Sequence, residues 1–86
     1  MPRISAFYGI VILMYFSDHG PPHFHARYGE FDAQMTIETA EVLHGHLPPR
    51  ALRLVRTWAG HHRAELMADW DRAQAERPLL PIEPLP

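Results

Sequence analysis

The sequence lacks cysteine and lysine, and all eight of its basic residues are arginine. Because there is no thiol, disulfide bonds and thiolate metal sites are excluded. Long apolar runs are also absent: the longest, Ile10–Phe16, has seven residues, whereas a membrane-spanning helix needs about 20. No small-residue cleavage site follows this run, so it does not match a secretory signal. We therefore expect a cytoplasmic protein with no membrane partner.

What is present is a short chain with a large apolar fraction. Its 86 residues, 47 % of them apolar, fit one small domain. This length excludes a multidomain enzyme and a complete nucleotide-binding fold. The net charge of -2 argues against a protein that coats nucleic acid by bulk charge, while a local arginine patch stays compatible with it.

The first apolar segment, from Phe7 to Phe16, is rich in Ile, Val, Tyr and Phe, which favour a β-strand. Odd and even positions are both apolar, which is typical of a strand buried on two faces. In so small a domain, a second subunit is one structure that covers the second apolar face of this strand. The pattern therefore predicts self-association or a stable partner.

Two further strands, His23 to Tyr28 and Phe31 to Glu38, flank a Gly29-Glu30 step suited to a type II′ hairpin turn. Pairing across this turn places apolar residues on one face: Phe24 with Met35, Ala26 with Ala33, and Tyr28 with Phe31. It places polar residues on the other face: His23 with Thr36, His25 with Gln34, and Arg27 with Asp32. A shift of one residue would destroy this separation, so the register is well specified.

A shorter strand is predicted from Val42 to Leu47, with a three-residue turn at residues 39–41. That turn sets Ile37 opposite Leu43 and Ala33 opposite Leu47, and it places His44 and His46 on the polar face.

From Arg50 to about Arg77 the apolar spacing is helical. The fold class is therefore α+β: an antiparallel sheet of three to four strands, with one long C-terminal helix packed on its Phe24/Met35 face. We assign residues 1–77 to a single domain and residues 78–86, which contain four prolines, to an extended tail.

The segment Asp18-His19-Gly20-Pro21-Pro22-His23-Phe24-His25 is the strongest candidate for a site. His23 and His25 project from the same side of a strand, which is a metal-ligand spacing, and Asp18 or His19 folding back supplies a third ligand. The ion would be divalent, Zn or Ni. A neutral imidazole at this position is also suited to act as a general base. A polar strand face with no functional site is a third explanation of the same spacing.

A second candidate is the arginine flank of the helix, Arg50, Arg53 and Arg56. Arg50 and Arg53 lie in the first turn, where the helix dipole disfavours cations. This placement predicts contact with phosphate or with a partner carboxylate. Arginine stems covering the edge of the core are the simpler explanation.

Several stretches closely resemble the bacterial family called domain of unknown function 4160. The most specific are Phe7-Tyr8-Gly9-Ile10, Asp18-His19, Pro21-Pro22-His23-Phe24-His25-Ala26, Glu41-Val42-Leu43 and Ala51-Leu52-Arg53-Leu54-Val55. The family signature covers Asp18, His19, His23 and His25. The family has no established activity. Genes of similar proteins often lie beside a small partner of the family called domain of unknown function 2442, in pairs that look like toxin–antitoxin modules.

The resemblance implies two alternatives. In the first, the protein is a toxin that acts on RNA as a metal-independent ribonuclease, with the catalytic residues drawn from His19, His23, His25 and Arg27, and with RNA held by the arginine flank. In the second, it is a non-catalytic module that binds a metal or a small cognate, antitoxin-like protein. The sequence alone does not decide whether the protein is an enzyme.

Overall fold

The chain forms an antiparallel sheet followed by two helices, as described for residues 2–86 by a computed structural model. The strands are β1 (Arg3–Phe7), β2 (Ile10–Leu13), β3 (His23–Tyr28), β4 (Phe31–Thr36) and β5 (Val42–Gly45). The helices are α1 (Pro49–His61) and α2 (Arg63–Gln74). The strands are ordered β1-β2-β3-β4-β5, so each pairs with its neighbours in sequence. The α+β class and the antiparallel sheet are confirmed.

The β3–β4 hairpin has the predicted register in all six pairs, from His23 opposite Thr36 to Tyr28 opposite Phe31. Gly29 has φ +58°, as the first central residue of the predicted turn requires. Phe24, Ala26, Ala33 and Met35 are each at most 1 % exposed. The predicted apolar face is therefore confirmed at these four positions, whereas Phe31 at its end is 36 % exposed and His23 on the opposite face is buried.

The prediction of three to four strands is wrong because the chain turns near the start of the first apolar segment, and the residues before the turn form the additional strand β1. Tyr8 and Gly9 have φ values of +51° and +80° and reverse the chain between β1 and β2. Two successive residues with positive φ form a two-residue hairpin turn whose twist matches that of the flanking strands. The sheet therefore gains a strand at its N-terminal edge.

The register predicted for the last strand is also wrong. β5 ends at Gly45, which lies opposite Ala33, while Val42 lies opposite Met35 and an irregularity separates Gln34 from Met35. Gly45 has φ +84°, and a Cβ atom at this position would overlap the Asp32 carbonyl oxygen. The position therefore requires glycine. The pairing shifts because Leu43, between Val42 and His44, has no partner of its own in the β4 register. His44 lies opposite Gln34, on the polar face as predicted.

The single long helix is divided in two at His62, whose φ of -127° and ψ of +26° are not helical. The His62 ring contacts Glu65 in the first turn of α2, with 2.6 Å between Nδ1 and Oε1. The predicted apolar stripe nevertheless continues across the break, since Val55, Ala59, Leu66, Trp70 and Ala73 are all buried. Helix α1 packs on the Phe24 face: the Trp58 ring lies 6.0 Å from the ring of Phe24 and is fully buried.

Residues 78–86 have no regular secondary structure and lie against β1 and both helices. The Ile82 amide donates to the Ile4 carbonyl at 2.8 Å, and the Trp58 indole donates to the Glu83 carbonyl at 2.8 Å. Ile82 itself is 4 % exposed. The tail thus covers part of the edge strand and of the core.

Much of the apolar surface of residues 7–16 is covered within the chain, since Phe7, Ile10, Ile12, Leu13 and Met14 are buried. Tyr8 and Phe16 are exposed. Self-association stays a prediction, and less exposed apolar surface supports it than the sequence suggested. In the described part of the chain, neither helix has the length and apolar character required to cross a membrane.

Candidate functional site

The loop between β2 and β3 carries the candidate site and is attached to the C-terminal end of α2. The Ser17 amide donates to the Ala73 carbonyl at 3.2 Å, and the Gln74 side chain donates to the Asp18 carbonyl at 3.3 Å. The Ser17 hydroxyl also donates to Glu76 at 2.9 Å. These bonds hold the loop so that the Asp18 side chain faces the start of β3.

Asp18, His23 and His25 form a cluster, which we call the Asp-His-His cluster. Asp18 Oδ2 lies 2.9 Å from His23 Nε2 and 3.4 Å from His25 Nε2. The three potential ligand atoms all lie within 4.8 Å of one another. The same-side spacing of the two histidines, together with a carboxylate folding back from the loop, is the arrangement proposed from the sequence.

The His23 ring is oriented by a backbone group and not by the residue opposite it in the sheet. Thr36, which lies opposite His23, contacts Thr39 through its hydroxyl at 2.7 Å. His23 Nδ1 lies 2.8 Å from the Pro21 carbonyl oxygen. The Pro21-Pro22 step thus fixes the ring directly, through a backbone acceptor.

The geometry around His23 restricts its chemical state. A carbonyl oxygen only accepts hydrogen bonds, so Nδ1 carries a hydrogen and donates to Pro21. A neutral His23 would then direct the Nε2 lone pair at the Asp18 carboxylate, which also only accepts. His23 Nε2 therefore faces the Asp18 carboxylate across 2.9 Å, an arrangement that a bound cation between the two atoms would satisfy.

Burial and hydrogen bonding together set the charge of the other two members. Desolvation lowers the pKa of His25 below its ordinary value, although the carboxylate of Asp18 acts in the opposite direction. Burial alone would raise the pKa of Asp18, but hydrogen bonds from the His19 amide and the His25 ring outweigh it and lower that pKa. At neutral pH, His25 is neutral and Asp18 is ionised, which are the states in which these groups bind metals.

The cluster is only partly accessible. The side chains of His23 and His25 are 4 % and 12 % exposed, and that of Asp18 is 29 % exposed. The Trp70 ring lies 5.2 Å from His23, and the Tyr15 ring contacts His25 edge-on at 4.4 Å. An ion or a ligand would therefore reach the cluster from the Asp18 side.

The other predicted residues lie outside the cluster. His19 is exposed and contributes its backbone amide, which donates to Asp18 Oδ1 at 2.9 Å. Arg27 pairs across the hairpin with Asp32 at 3.5 Å, as predicted. Of the arginine flank, Arg50 and Arg53 are exposed on α1, whereas Arg56 donates to the Ala40 carbonyl at 3.1 Å. Arg56 thus has a structural contact.

The sequence did not predict two groups that contact His23 in the cluster, the Trp70 ring and the Pro21 carbonyl. Trp70 belongs to the predicted helical stripe, but its contact with His23 depends on how the loop wraps around α2. A backbone carbonyl has no signature in a sequence. The stiffness of Pro21-Pro22 was the only available signal.

Comparison with known proteins identifies a family but no characterised relative. The family model described as Domain of unknown function (DUF4160) matches residues 9–71, a range that contains the whole cluster. No curated protein matches the chain. No solved structure matches it either.

Proposed function

This chain belongs to the family of domain of unknown function 4160, and on that premise we propose that it binds one divalent transition-metal ion, of the zinc or nickel type, through Asp18, His23 and His25. The observation that supports this proposal is the convergence of three ligand atoms within 4.8 Å. Two imidazoles and a carboxylate form a ligand set used for zinc and other first-row metals.

The distances within the cluster suit a small ion. Bonds of about 2.0–2.1 Å in a tetrahedral arrangement separate neighbouring ligand atoms by about 3.3 Å. Asp18 Oδ2 is already 3.4 Å from His25 Nε2, and its 2.9 Å contact with His23 needs to lengthen by only a few tenths of an ångström. Because Asp18 is on a loop, this movement of the carboxylate needs no change in the sheet. The two imidazoles, which lie within 4.8 Å of each other on β3, reach the same separation of about 3.3 Å by rotation of their side chains.

The hydrogen bond from His23 to Pro21 also supports metal binding. Histidine ligands commonly donate their other ring N–H to a carbonyl or carboxylate, which fixes the tautomer and orients the lone pair. The 2.8 Å contact with the Pro21 carbonyl gives His23 this support before any ion arrives. Its Nε2 lone pair is thereby directed into the cluster.

Calorimetric titration of the full-length, chelator-treated protein with Zn²⁺ and Ni²⁺ tests the proposal. We expect about one ion per chain, and a loss of more than about 100-fold in affinity for Asp18→Asn, His23→Gln and His25→Gln. The matched control is His61→Gln, which removes an exposed imidazole at the end of α1. Equal binding by the three variants and the control would contradict the proposal.

Action on RNA is a second proposal, and one observation favours it. The lowered pKa of His25 makes its imidazole neutral at pH 7, as a general base requires, and Arg27 lies two residues further along the same face. His23 is unsuited to proton transfer with a substrate because both of its ring nitrogens are engaged. Any acid–base role would therefore belong to His25.

Expression in a bacterial host, alone and with a neighbouring gene of the domain of unknown function 2442 family, tests this second proposal. Growth arrest with RNA cleavage, relieved by the partner and lost in His25→Gln, is the expected result. Undisturbed growth with intact RNA would contradict the proposed action on RNA, and metal binding would remain as the proposed function.

A further inference from the structure

We infer that the metal ion at the Asp-His-His cluster keeps one coordination position for an exogenous oxyanion, in particular a phosphate group, and that Gln34 and Arg27 on the polar sheet face help to hold it. This inference rests on the proposed metal site and goes beyond it, because a purely structural ion would have no exchangeable ligand. It is carried by the number of ligands, the charge of the site and the neighbouring hydrogen-bond donors.

The number of protein ligands points to an exchangeable position. Within residues 2–86 the cluster has three members, each offering one ligand atom. Structural zinc sites are closed by four protein ligands, whereas sites with three keep a water molecule or a substrate in the fourth position. The partial exposure of Asp18, 29 %, provides the path by which that ligand exchanges.

The charge of the loaded site favours an anion. Asp18 is the only carboxylate in the cluster, and a histidine that binds a metal ion does so as a neutral imidazole. A divalent cation bound by one carboxylate and two neutral imidazoles keeps a net charge of about +1. In a partly buried setting this charge attracts an anion more strongly than it does a neutral ligand.

Gln34 is placed to donate to such an anion. It lies directly opposite His25 in the β3–β4 register and therefore projects from the same face. It is half-buried, and within the described residues its side-chain amide has no hydrogen-bond partner. A half-buried amide beside a cationic site supplies a donor for a metal-bound oxyanion.

Arg27 provides a second donor and a positive charge on this face. It follows His25 by two residues, so both side chains project from the same side of β3. Its partner Asp32 is 3.5 Å away, and the two side chains are 42 % and 52 % exposed. An exposed pair of this kind contributes little stability, so the guanidinium is available to a phosphate oxygen.

Co²⁺ replaces Zn²⁺ in the experiment because its visible absorption reports the number and type of its ligands. The full-length protein loaded with one equivalent of Co²⁺ is titrated with azide, inorganic phosphate and a dinucleoside monophosphate. We expect saturable spectral changes with azide and phosphate, as each displaces the metal-bound water. Tighter binding of the dinucleotide would identify a phosphodiester, and tighter binding of inorganic phosphate would identify the free ion.

Two variants test the role of the sheet face. Gln34→Met and Arg27→Gln should each weaken phosphate binding by about tenfold while changing Co²⁺ affinity by less than about twofold. Arg77→Gln, beyond the end of α2, removes the same charge and should leave phosphate affinity unchanged. Equal weakening by Arg77→Gln and Arg27→Gln would overturn the assignment of the anion to this face.

The experiment separates failure of this inference from failure of the proposed function. If one Co²⁺ binds through Asp18, His23 and His25 but neither azide nor phosphate alters its spectrum, the position is closed and the inference is wrong. The metal site would then stand. If neither Co²⁺ nor Zn²⁺ binds, the proposed function is wrong and the inference fails with it.

Discussion

His23 shows how a residue predicted on a polar face becomes part of the buried structure. The sequence places it on the solvent-reachable side of the hairpin, where loss of the ring would cost about 0.5–1 kcal/mol. In the structure it is 4 % exposed, contacts Trp70 and has both ring nitrogens bonded. Loss of the ring therefore costs more than on an exposed face, because it leaves a cavity and unpaired polar groups.

Replacement of this ring should therefore destabilise the protein markedly. We expect His23→Ala to lower the free energy of unfolding by about 2–3 kcal/mol, measured by urea denaturation of the metal-free protein. His44→Ala is the control, since that side chain is exposed on the same sheet face, and it should change stability by less than about 0.5 kcal/mol. Equal effects of the two substitutions would show that the burial of His23 contributes little.

The His25 imidazole predicts how stability depends on pH. Burial lowers its pKa in the folded state below 6.5, despite the opposing carboxylates of Asp18 and Asp32, while His23 lowers it further. The unfolded chain therefore takes up a proton at this position before the folded chain does, and stability declines as pH falls below about 6.5. Thermal unfolding of the chelator-treated protein between about pH 8 and pH 5 measures this decline.

His25→Gln should flatten that decline, and His61→Gln should preserve it. The pKa of Asp18 is lowered from 3.8, so its contribution to stability is fully present above that value and is lost as pH falls through the folded pKa. The decline between pH 6.5 and pH 5 therefore does not arise from Asp18. An identical slope in wild type and His25→Gln would contradict this assignment.

At the scale of elements, the path of β5 depends on one glycine. Gly45→Ala should destabilise the protein by about 3 kcal/mol or more, because φ is +84° and the added Cβ would overlap the Asp32 carbonyl oxygen. Gly20→Ala is a matched control, since φ is +89° but nothing lies within 4 Å of the added atom. It should cost only the backbone strain, about 1–2 kcal/mol. Chemical denaturation of both variants provides the comparison, and equal losses would contradict the steric explanation.

For the whole molecule, the C-terminal tail joins the sheet to the helices. The Leu80 amide donates to Asp69 at 2.9 Å, and this carboxylate, only 1 % exposed, also accepts from Arg72 at 2.8 Å. The tail therefore bonds to α2 through Asp69, in addition to its bonds with Ile4 and Trp58. It covers surface that would otherwise be apolar and accessible.

Truncation after Arg77 should lower stability by about 3 kcal/mol or more, through lost apolar burial and lost hydrogen bonds. We expect the fluorescence of Trp58 to shift to longer wavelength as its indole loses the Glu83 carbonyl and meets water. We also expect the truncated chain to associate in sedimentation velocity, since it exposes the apolar surface under Ile82. A truncated chain that stays monomeric at high concentration would contradict the covering role of the tail.

The extent to which the sequence predicted the fold varies with the range of the interactions. The β3–β4 register followed from side-chain alternation and one turn, because neighbouring strands joined by a two-residue turn have few alternatives. The Tyr8-Gly9 turn was missed because apolar residues lie on both sides of Gly9 and hide the boundary between the strands. The helix break at His62 was missed because the apolar stripe continues through it.

The sequence by itself determined the class of the fold, the hairpin that carries His23 and His25, and their projection from one side of a strand, because these follow from local periodicity and turn chemistry. Only the tertiary structure decided that Asp18, and not His19, meets them, and how deeply they are buried. Asp18 reaches the histidines because the loop bonds to the end of α2, and His23 is enclosed because Trp70 lies beside it. Such contacts join segments about 50 residues apart, and no local pattern encodes which of them will meet.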